Sequence, residues 1–395
     1  MPATASLKPL AAGRFGYAQA RHLLNRAGFG GTPQQIGALR DMGLAKAVDH
    51  LVDYQSVDGS SLTTAKFDPD IMVPATRQQR QQMRQARQGG DEQQMAIVRR
   101  MRNERRGDDR DQMAKGRRWW LGRMIQTPRP LEEKLTLFWH GHFASNHRTV
   151  RDSYLMLQQN ELFRKHANGS FADLATAIVR NPAMIRFLNN DSNRKGKPNE
   201  NLARELMELF TLGEGNYSEK DIKEGARALT GFTYHDNKFQ FNRRRHDEGM
   251  KVLLGQRGHF NGDDFVRLCL GRPSCSEFIS YKLYRQFASD IPGGLDDACR
   301  SVIRQLAAQI RKQDYQLRPV LNRLFKSEHF YDPTIVGNMV KSPVQLVVGS
   351  LRVLKTPSRD EGMLLDAMSL MGQRLFDPPS VAGWVGGRTW VNTST

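Results

Sequence analysis

The chain has 395 residues, of which 39% are hydrophobic and 25% charged, and its formal net charge is +18 at pH 7. This length suffices for one large domain or two ordinary ones. No run approaches the ~18 consecutive apolar residues of a membrane-spanning helix, which argues against a helical membrane protein. The N-terminus has no basic region followed by an apolar core. The sequence therefore predicts a cytoplasmic protein, or an exported one if its N-terminus is incomplete.

The first predicted elements are two helices separated by a glycine-rich turn. Tyr17–Ala27 is amphipathic and ends at residues 28–31, which include three glycines. Thr32 and Pro33 then predict the start of the next helix, with Thr32 as its N-cap and Pro33 as its first residue. Because the glycines follow a helix rather than a strand, the turn does not match a dinucleotide-binding loop.

The segment Thr76–Arg118 is rich in arginine and glutamine and contains almost no aromatic residue. We interpret it as an exposed basic helical insertion in a single domain that covers residues 1–395. A basic segment can bind nucleic acid, but sites that bind single strands stack the bases on interleaved aromatic side chains. We therefore regard nucleic acid as an unlikely partner of this segment.

Two histidines lie in a further predicted helix, Leu131–Phe143. His140 and His142 are two residues apart, which places them roughly 200° apart around an α-helix. They could bind one metal ion only if Gly141 broke the helix. The pair is thus a candidate divalent-metal site under that condition, and otherwise a pair of core or capping histidines.

A strong helix is predicted over Asn199–Leu212, and it carries a cluster of charged residues. Arg204 and Glu208 are four residues apart, and Glu205 lies three residues before Glu208. We expect part of this charge to be buried, and buried carboxylates need cationic partners or a bound cation. The cluster is a solvated ion-paired face, a structural network, or a site in which Glu205 and Glu208 are catalytic and Arg204 binds substrate.

Polar residues further along the chain extend this candidate site. Arg227 ends the next predicted helix, and His246, Asp247 and Lys251 follow a predicted β-hairpin over residues 232–241. An adjacent histidine and aspartate near glutamates could perform acid–base catalysis or bind a metal. In that hypothesis His246 and Asp247 are catalytic, while Arg227 and Lys251 bind an anionic or polar substrate.

Helical periodicity continues through the C-terminal third of the chain, and the hairpin over 232–241 is the one sheet element that the sequence predicts. No alternation of strands and helices is present. The sequence therefore predicts an all-α fold, with a single large multi-helix domain, one small hairpin and the basic insertion.

Several long motifs occur along the chain in the same order as in a known protein family. They resemble the bacterial domain-of-unknown-function 1800 family, and the resemblance extends from about Tyr17 to the last residue. It implies a helical bacterial protein, often exported, whose gene often lies beside that of a sulfatase-like protein. It supplies no activity and no catalytic residues. The segments that carry it are 22–30, 130–143, 199–213, 226–231, 246–247 and 378–384.

The chain departs from the family pattern at both ends. It lacks the export signal that many relatives carry, and it ends at Trp390–Thr395, where a further helix is expected. We therefore treat the sequence as a candidate for truncation at its C-terminus.

Three functional hypotheses follow from these observations. The first is a hydrolase that uses the carboxylate and histidine groups named above, with or without a divalent metal. The second is a non-enzymatic binding or assembly protein whose basic insertion contacts a protein partner, such as the sulfatase-like neighbour implied by the resemblance. The third, nucleic-acid binding, depends on charge alone.

Overall fold

A computed structural model describes residues 3–62, 66–73, 76–290 and 294–391. Within these ranges the chain forms seventeen α-helices and little sheet, so the prediction of an all-α fold is confirmed. The helices are, in chain order, α1 (Tyr17–Arg26), α2 (Pro33–Val52), α3 (Arg77–Gln88), α4 (Glu92–Gln126), α5 (Pro130–His142), α6 (His147–Val150), α7 (Ser153–Lys165), α8 (Phe171–Val179), α9 (Pro182–Phe187), α10 (Asn201–Glu205), α11 (Glu219–Ala228), α12 (Gly262–Leu270), α13 (Pro273–Phe287), α14 (Asp297–Lys312), α15 (Arg318–Lys326), α16 (Pro343–Leu354) and α17 (Glu361–Leu370).

Helix α2 begins where its capping signal predicts. The Thr32 hydroxyl accepts a hydrogen bond from the Gln35 backbone at 3.2 Å, and the Gln35 side chain accepts one from the Thr32 backbone at 3.0 Å. Pro33 is the first helical residue. These reciprocal bonds satisfy N–H groups that the start of a helix leaves unpaired. The helix is kinked at Gly43, which has a φ of 71°.

The described sheet consists of two antiparallel hairpins. The strands are β1 (Phe232–His235), β2 (Lys238–Phe241), β3 (Lys251–Leu253) and β4 (Gln256–Gly258). The first hairpin is the predicted one, and its turn residues Asp236 and Asn237 have φ values of 47° and 59°. Those left-handed values are the ones that a two-residue type I′ turn requires. The second hairpin turns at Leu254 and Gly255, with φ values of 49° and 77°, and of these two residue types glycine alone is a turn signal.

Helix α5 packs between two hydrophobic clusters. Leu131, Leu135 and Trp139 belong to the larger cluster, which includes most of the N-terminal and central helices. Leu137 belongs to the smaller cluster, together with Trp120 of α4. The helix is therefore buried around most of its circumference, which explains why its sequence is apolar on more than one face.

The predicted basic insertion is only partly exposed. Helix α3 and the first part of α4 present Met83, Ile97 and Met101 to solvent. Buried positions in α4 begin at Asp109, and further along the same helix Trp120 lies fully within the core. From Asp109 onward one face of α4 is therefore buried, because the second half of α4 packs against α7, α16 and α17. We call residues 77–108 the basic hairpin.

A fully buried charge network is centred on α5 and not on the segment 199–208. The Glu133 carboxylate is 0% exposed, and it accepts hydrogen bonds from the Trp120 indole at 2.9 Å, from Arg164 at 2.7 and 3.0 Å, and from Arg123. Because three residues donate to it, the carboxylate can remain charged in the core. Glu133 lies within the segment 130–143, and its hydrogen bonds join α4, α5 and α7.

Within the four described ranges, no helix is both long enough and apolar enough to cross a membrane.

Candidate functional site

The predicted helix over 199–212 is interrupted by a π-helical turn. Helix α10 ends at Glu205, and residues Leu206–Thr211 are π-helical. The Leu212 N–H donates to the Met207 carbonyl, five residues back, at 2.8 Å, and the Thr211 hydroxyl donates to Leu206. Single π-helical turns within α-helices are frequent at functional sites. Apolar periodicity alone does not distinguish such a turn from an α-helix.

The charged residues of this segment form a half-exposed group. Arg204 donates two hydrogen bonds to Glu219 of α11, at 2.9 and 3.1 Å, and not to Glu208. Glu208 instead accepts a hydrogen bond from the Tyr217 hydroxyl at 2.7 Å. Glu205 is half-buried, and both burial and the neighbouring Glu208 raise the pKa of its carboxyl.

A second group surrounds Asp247. Arg227 donates to both carboxylate oxygens of Asp247, at 2.8 and 3.2 Å, and it also pairs with Glu224 at 2.9 Å. The Lys251 ammonium donates to the carbonyl oxygens of Asp247 and Gly249 at 2.6 and 3.1 Å. The hydrogen bond from Arg227 lowers the pKa of Asp247 to about 2. Asp247 is therefore a poor proton acceptor near neutral pH and acts as a partner for Arg227.

His246 is held by the end of α11. One ring nitrogen, Nδ1, lies 2.8 Å from the Thr230 carbonyl and 3.2 Å from the Thr230 hydroxyl. Burial lowers the pKa of the imidazole. Because Nδ1 is bound to a carbonyl acceptor, it carries the proton in the neutral ring.

The structure does not bring these residues together in one site. Within the part of the chain that the structure describes, no hydrogen bond or ion pair links Glu205 or Glu208 to His246 or Asp247. Helix α11 separates the two groups, since Glu219 at its start binds Arg204 and the second group contacts its other end. Eight residues of α-helix correspond to ~12 Å.

Helix α5 continues through Gly141, so the condition for a shared metal at His140 and His142 is not met. The His140 ring packs against Trp120, whereas the His142 ring packs against Phe210. Burial lowers the pKa of each imidazole to about 3. Among the described residues, no group of three or more His, Cys, Asp or Glu side chains could hold a metal ion. These residues therefore offer no set of ligands for the predicted divalent metal.

His142 nevertheless lies at a pair of adjoining, partly open cavities between α1, α5, α13 and the segment 373–390. We call them together the central cleft. Their volumes are about 160 and 280 Å³, and they share Met339 and Gln345. The first is lined by His142, Lys282, Arg285, Asp290, Gln373 and Trp384, among others. The second is lined by His22, Asn25, Arg26, Phe29 and Lys341, among others.

Three half-buried cations face this cleft with little to neutralise them. Arg26, Lys282 and Arg285 form no hydrogen bond or ion pair with any residue that the structure describes, although the two on α13 each lie over an aromatic ring of the same helix. Asp290 is the one carboxylate among the described lining residues, and it attracts Arg26 and Arg285 but makes no ion pair with either. Burial lowers the pKa of Arg26 to about 10, and burial together with Arg285 lowers the pKa of Lys282.

Three buried polar atoms at the cleft also have no partner within the described chain. They are Nε2 of His22, Nδ1 of His142 and Nε1 of Trp384. The other nitrogen of His142 lies 3.0 Å from the Phe210 carbonyl, so it carries the proton and leaves a lone pair on Nδ1. Beside the cleft His142 therefore has an acceptor, and Trp384 a donor, that is buried without a partner among the described residues, and such orphaned groups in a native protein call for an explanation.

Two close contacts build the walls of the cleft. The fully buried Lys134 of α5 donates to the carbonyls of Asn25 and Gly28 at 2.9 and 2.6 Å, which fixes the turn after α1. On the other side, the segment that carries Trp384 packs directly on α5 at Gly141. Both walls therefore depend on α5.

A family model matches this chain over nearly its whole length. The family described as "Protein of unknown function (DUF1800)" matches residues 22–395. The chain belongs to the DUF1800 family. No curated protein and no solved structure matches it.

Three of the segments by which the sequence resembles DUF1800 meet at the central cleft. Residues 22–30 line its second cavity, and residues 130–143 and 378–384 line its first. A fourth, 199–213, reaches the cleft through the hydrogen bond between His142 and Phe210. The DUF1800-like segments are far apart in sequence, and the fold places them around one space.

Sequence reasoning named His142 but missed the cations on α13. Lys282 and Arg285 belong to no recognised motif, and most of the other residues that line the cleft come from distant segments. Their position gave no signal, because Ile279, Leu283 and Phe287 form the apolar stripe of an ordinary amphipathic helix and both cations fall outside it.

Proposed function

We propose that the protein binds a small organic anion in the central cleft. The observation that carries this proposal is the convergence of Arg26, Lys282 and Arg285 on the two adjoining cavities of the central cleft, with Asp290 as the single carboxylate among the described lining residues. Taking a charge out of water without pairing it is costly. A bound anion would supply the missing partner for two or three of these cations.

The lining of the cleft narrows the class of ligand. Arg and Lys together favour a carboxylate or a phosphate, and a guanidinium can bind either with two parallel hydrogen bonds. His142 Nδ1 can accept a hydrogen bond from a hydroxyl or amine of the ligand, and the Trp384 indole can donate one. Cavities of about 160 and 280 Å³ suit a molecule the size of a hydroxy acid or a sugar phosphate.

A thermal-shift screen tests this proposal. The probes are lactate, malate, citrate, orthophosphate and glycerol 3-phosphate, each at constant ionic strength. Lys282→Met removes one cation from the cleft, and Lys220→Met removes an exposed lysine from α11 as the matched control. We expect at least one probe to raise the melting temperature of the wild type and of Lys220→Met, and to have little effect on Lys282→Met. Equal shifts in all three proteins, or no shift with any probe, would refute the proposal.

A second candidate function, acid–base hydrolysis, rests on Glu205 and Glu208. These carboxylates lie at the junction of α10 and the π-helical turn, and their environments differ. Burial and Glu208 raise the pKa of Glu205, whereas Glu208 is stabilised by the Tyr217 hydroxyl. A carboxyl group whose pKa is raised, as that of Glu205 is, can act as a proton donor.

The hydrolase hypothesis is tested by comparing Glu205→Gln with Glu200→Gln on a panel of chromogenic esters, phosphoesters and glycosides. Glu200 pairs with Arg204 at 3.5 Å on the same helical segment and controls for loss of charge. Turnover that is lost in Glu205→Gln and retained in Glu200→Gln would support it. Absence of turnover in the wild type, or equal activity in both variants, would remove it.

A further inference from the structure

A second basic cleft lies against α4. We call it the arginine cleft. Its volume is about 540 Å³, and it includes six arginines from three parts of the chain. The arginines are Arg106, Arg110 and Arg117 of α4, Arg148 and Arg151 at the end of α6, and Arg374 after α17.

The three arginines of α4 share one face of the helix. Arg106 and Arg110 are four residues apart, and Arg117 follows seven residues later. These spacings place all three side chains within a narrow arc. The helix thus presents a row of guanidinium groups to the segments that close the cleft from the other side.

The acidic residues at the arginine cleft are already engaged. Asp109 accepts hydrogen bonds from His147 at 2.8 Å and from the Ser153 backbone at 2.5 Å. Asp377 is buried and pairs with Arg148 at 2.8 Å and with Arg374 at 3.9 Å. Neither carboxylate is available to the arginines of α4.

Four of the six guanidinium groups therefore have no carboxylate partner among the described residues. Arg106 and Arg110 make no hydrogen bond or ion pair with any described residue, and Arg151 donates only to the Arg148 carbonyl. Arg117 is half-buried and is held in place because its Nε donates to the Leu375 carbonyl at 2.9 Å, which leaves its two terminal nitrogens for a ligand. Burial and the nearby Arg374 lower the pKa of Arg117 to about 10.

From this arrangement we infer that the arginine cleft binds a small oligophosphate, an anion with two or more linked phosphate groups. One phosphate would neutralise only part of the four unpaired charges, and planar guanidinium groups match phosphate oxygens in pairs. The cleft is large enough for a di- or triphosphate with an attached group. Its described lining contains no aromatic ring other than His147 on which single-stranded bases could stack, which favours the small anion over a nucleic acid.

The arginine cleft is distinct from the central cleft, although one segment contributes to both. Gln373 lines the central cleft, and the next residue, Arg374, lines the arginine cleft. This inference does not depend on the proposed function, because no cation among the described lining residues is shared by the two sites.

Titration of sodium tripolyphosphate by isothermal calorimetry tests the inference. Arg106→Ala and Arg110→Ala remove exposed side chains that have no partner among the described residues, so both variants should fold. Arg118→Ala removes the exposed arginine next to Arg117 that does not line the cleft, and Lys282→Met alters the central cleft alone.

We expect one tripolyphosphate per chain, with binding weakened about tenfold or more in Arg106→Ala and Arg110→Ala. Arg118→Ala and Lys282→Met should bind as the wild type does. No binding to the wild type, or equal weakening in Arg110→Ala and Arg118→Ala, would overturn the inference. Binding of a single-stranded oligonucleotide without binding of tripolyphosphate would overturn it as well and would assign the surface to nucleic acid.

Discussion

Gly383 lies directly against Gly141, and this contact joins the C-terminal segment to α5. A Cβ atom on Gly383 would overlap the carbonyl group of Gly141, and the φ of Gly383 is 79°, a left-handed value. A side chain at position 383 would therefore overlap backbone atoms of Gly141, and it would also be strained by the left-handed φ. The contact places Trp384 beside His140, with ring centroids 5.5 Å apart, and thereby closes one side of the central cleft.

We expect Gly383→Ala to destabilise the protein by about 2 kcal/mol or more, because the overlap is with backbone atoms that cannot rotate away. Gly37 provides a matched control, since it lies within α2, has no positive φ, and has open space within 4 Å of the place that a Cβ atom would take. Gly37→Ala should stabilise by ~0.5–1 kcal/mol. Urea denaturation measures both changes. A neutral Gly383→Ala would show that the segment does not pack on α5 as described.

The buried Glu133 should be among the most sensitive positions in the protein. Glu133→Gln leaves Arg164 and Arg123 without their charged partner in the core, and such a loss typically costs ~3–5 kcal/mol. Glu104, which is exposed and pairs with Arg100, serves as a control. Glu104→Gln should leave the denaturation midpoint unchanged. Similar midpoints for the two variants would contradict the buried network.

The contribution of Glu133 should also depend on pH. Burial alone would raise the pKa of this carboxyl, but Arg164 and Arg123 more than offset that effect and lower it. A carboxyl whose pKa is lower in the folded state stabilises the protein above its ordinary pKa of ~4.3 and loses this contribution as the pH falls. The stability difference between wild type and Glu133→Gln should therefore shrink as the pH falls below ~4. A difference that stays constant over that range would argue that the carboxylate is not selectively stabilised.

Lys282→Met should stabilise the protein when no ligand is bound. The substitution removes a half-buried cation that lies beside Arg285 and has no carboxylate partner among the described residues. Because solvent still screens part of this charge, we expect a gain of about 0.5–1 kcal/mol. Scanning calorimetry of dialysed protein should show a higher melting temperature for Lys282→Met than for Lys220→Met. A large loss of stability would instead make Lys282 a structural residue.

The protein-partner hypothesis predicts a role for the basic hairpin. Replacing residues 77–105 by a short Gly-Ser linker should leave the melting temperature nearly unchanged, because most side chains in this segment are exposed. A deletion that extends to residue 118 should unfold the protein, since α4 enters the core at Asp109. If the hairpin contacts a partner, the shorter deletion abolishes co-purification of that partner. Retained co-purification would count against the hypothesis.

The features that the sequence predicted correctly are local ones. Thr32 and Pro33 identify a helix start, and Asp236 with Asn237 identifies a tight turn, because each signal depends on residues a few positions apart. The position along α4 at which the helix becomes buried was not predictable from such local signals. It depends on contacts with α7, α16 and α17, which lie far away in the sequence.

The candidate site, too, could be predicted from the sequence only where it depends on neighbouring residues. The spacing of Arg204 and Glu208 predicts an ion pair, but Glu219 competes for the guanidinium and the π-helical turn changes the register. The sequence marks His142 as a candidate metal ligand or as a core or capping histidine, but it does not predict that this residue lines a cleft. Lys282 contributes to the central cleft only through tertiary packing, and no local pattern encodes that placement.

The most direct test of the central claim is a crystal structure of the protein with the anion that gives the largest thermal shift. The account predicts electron density for that anion in the central cleft, with oxygen atoms within hydrogen-bonding distance of Lys282 and Arg285. Only ordered water in the central cleft, at an anion concentration that saturates the thermal shift, would contradict it.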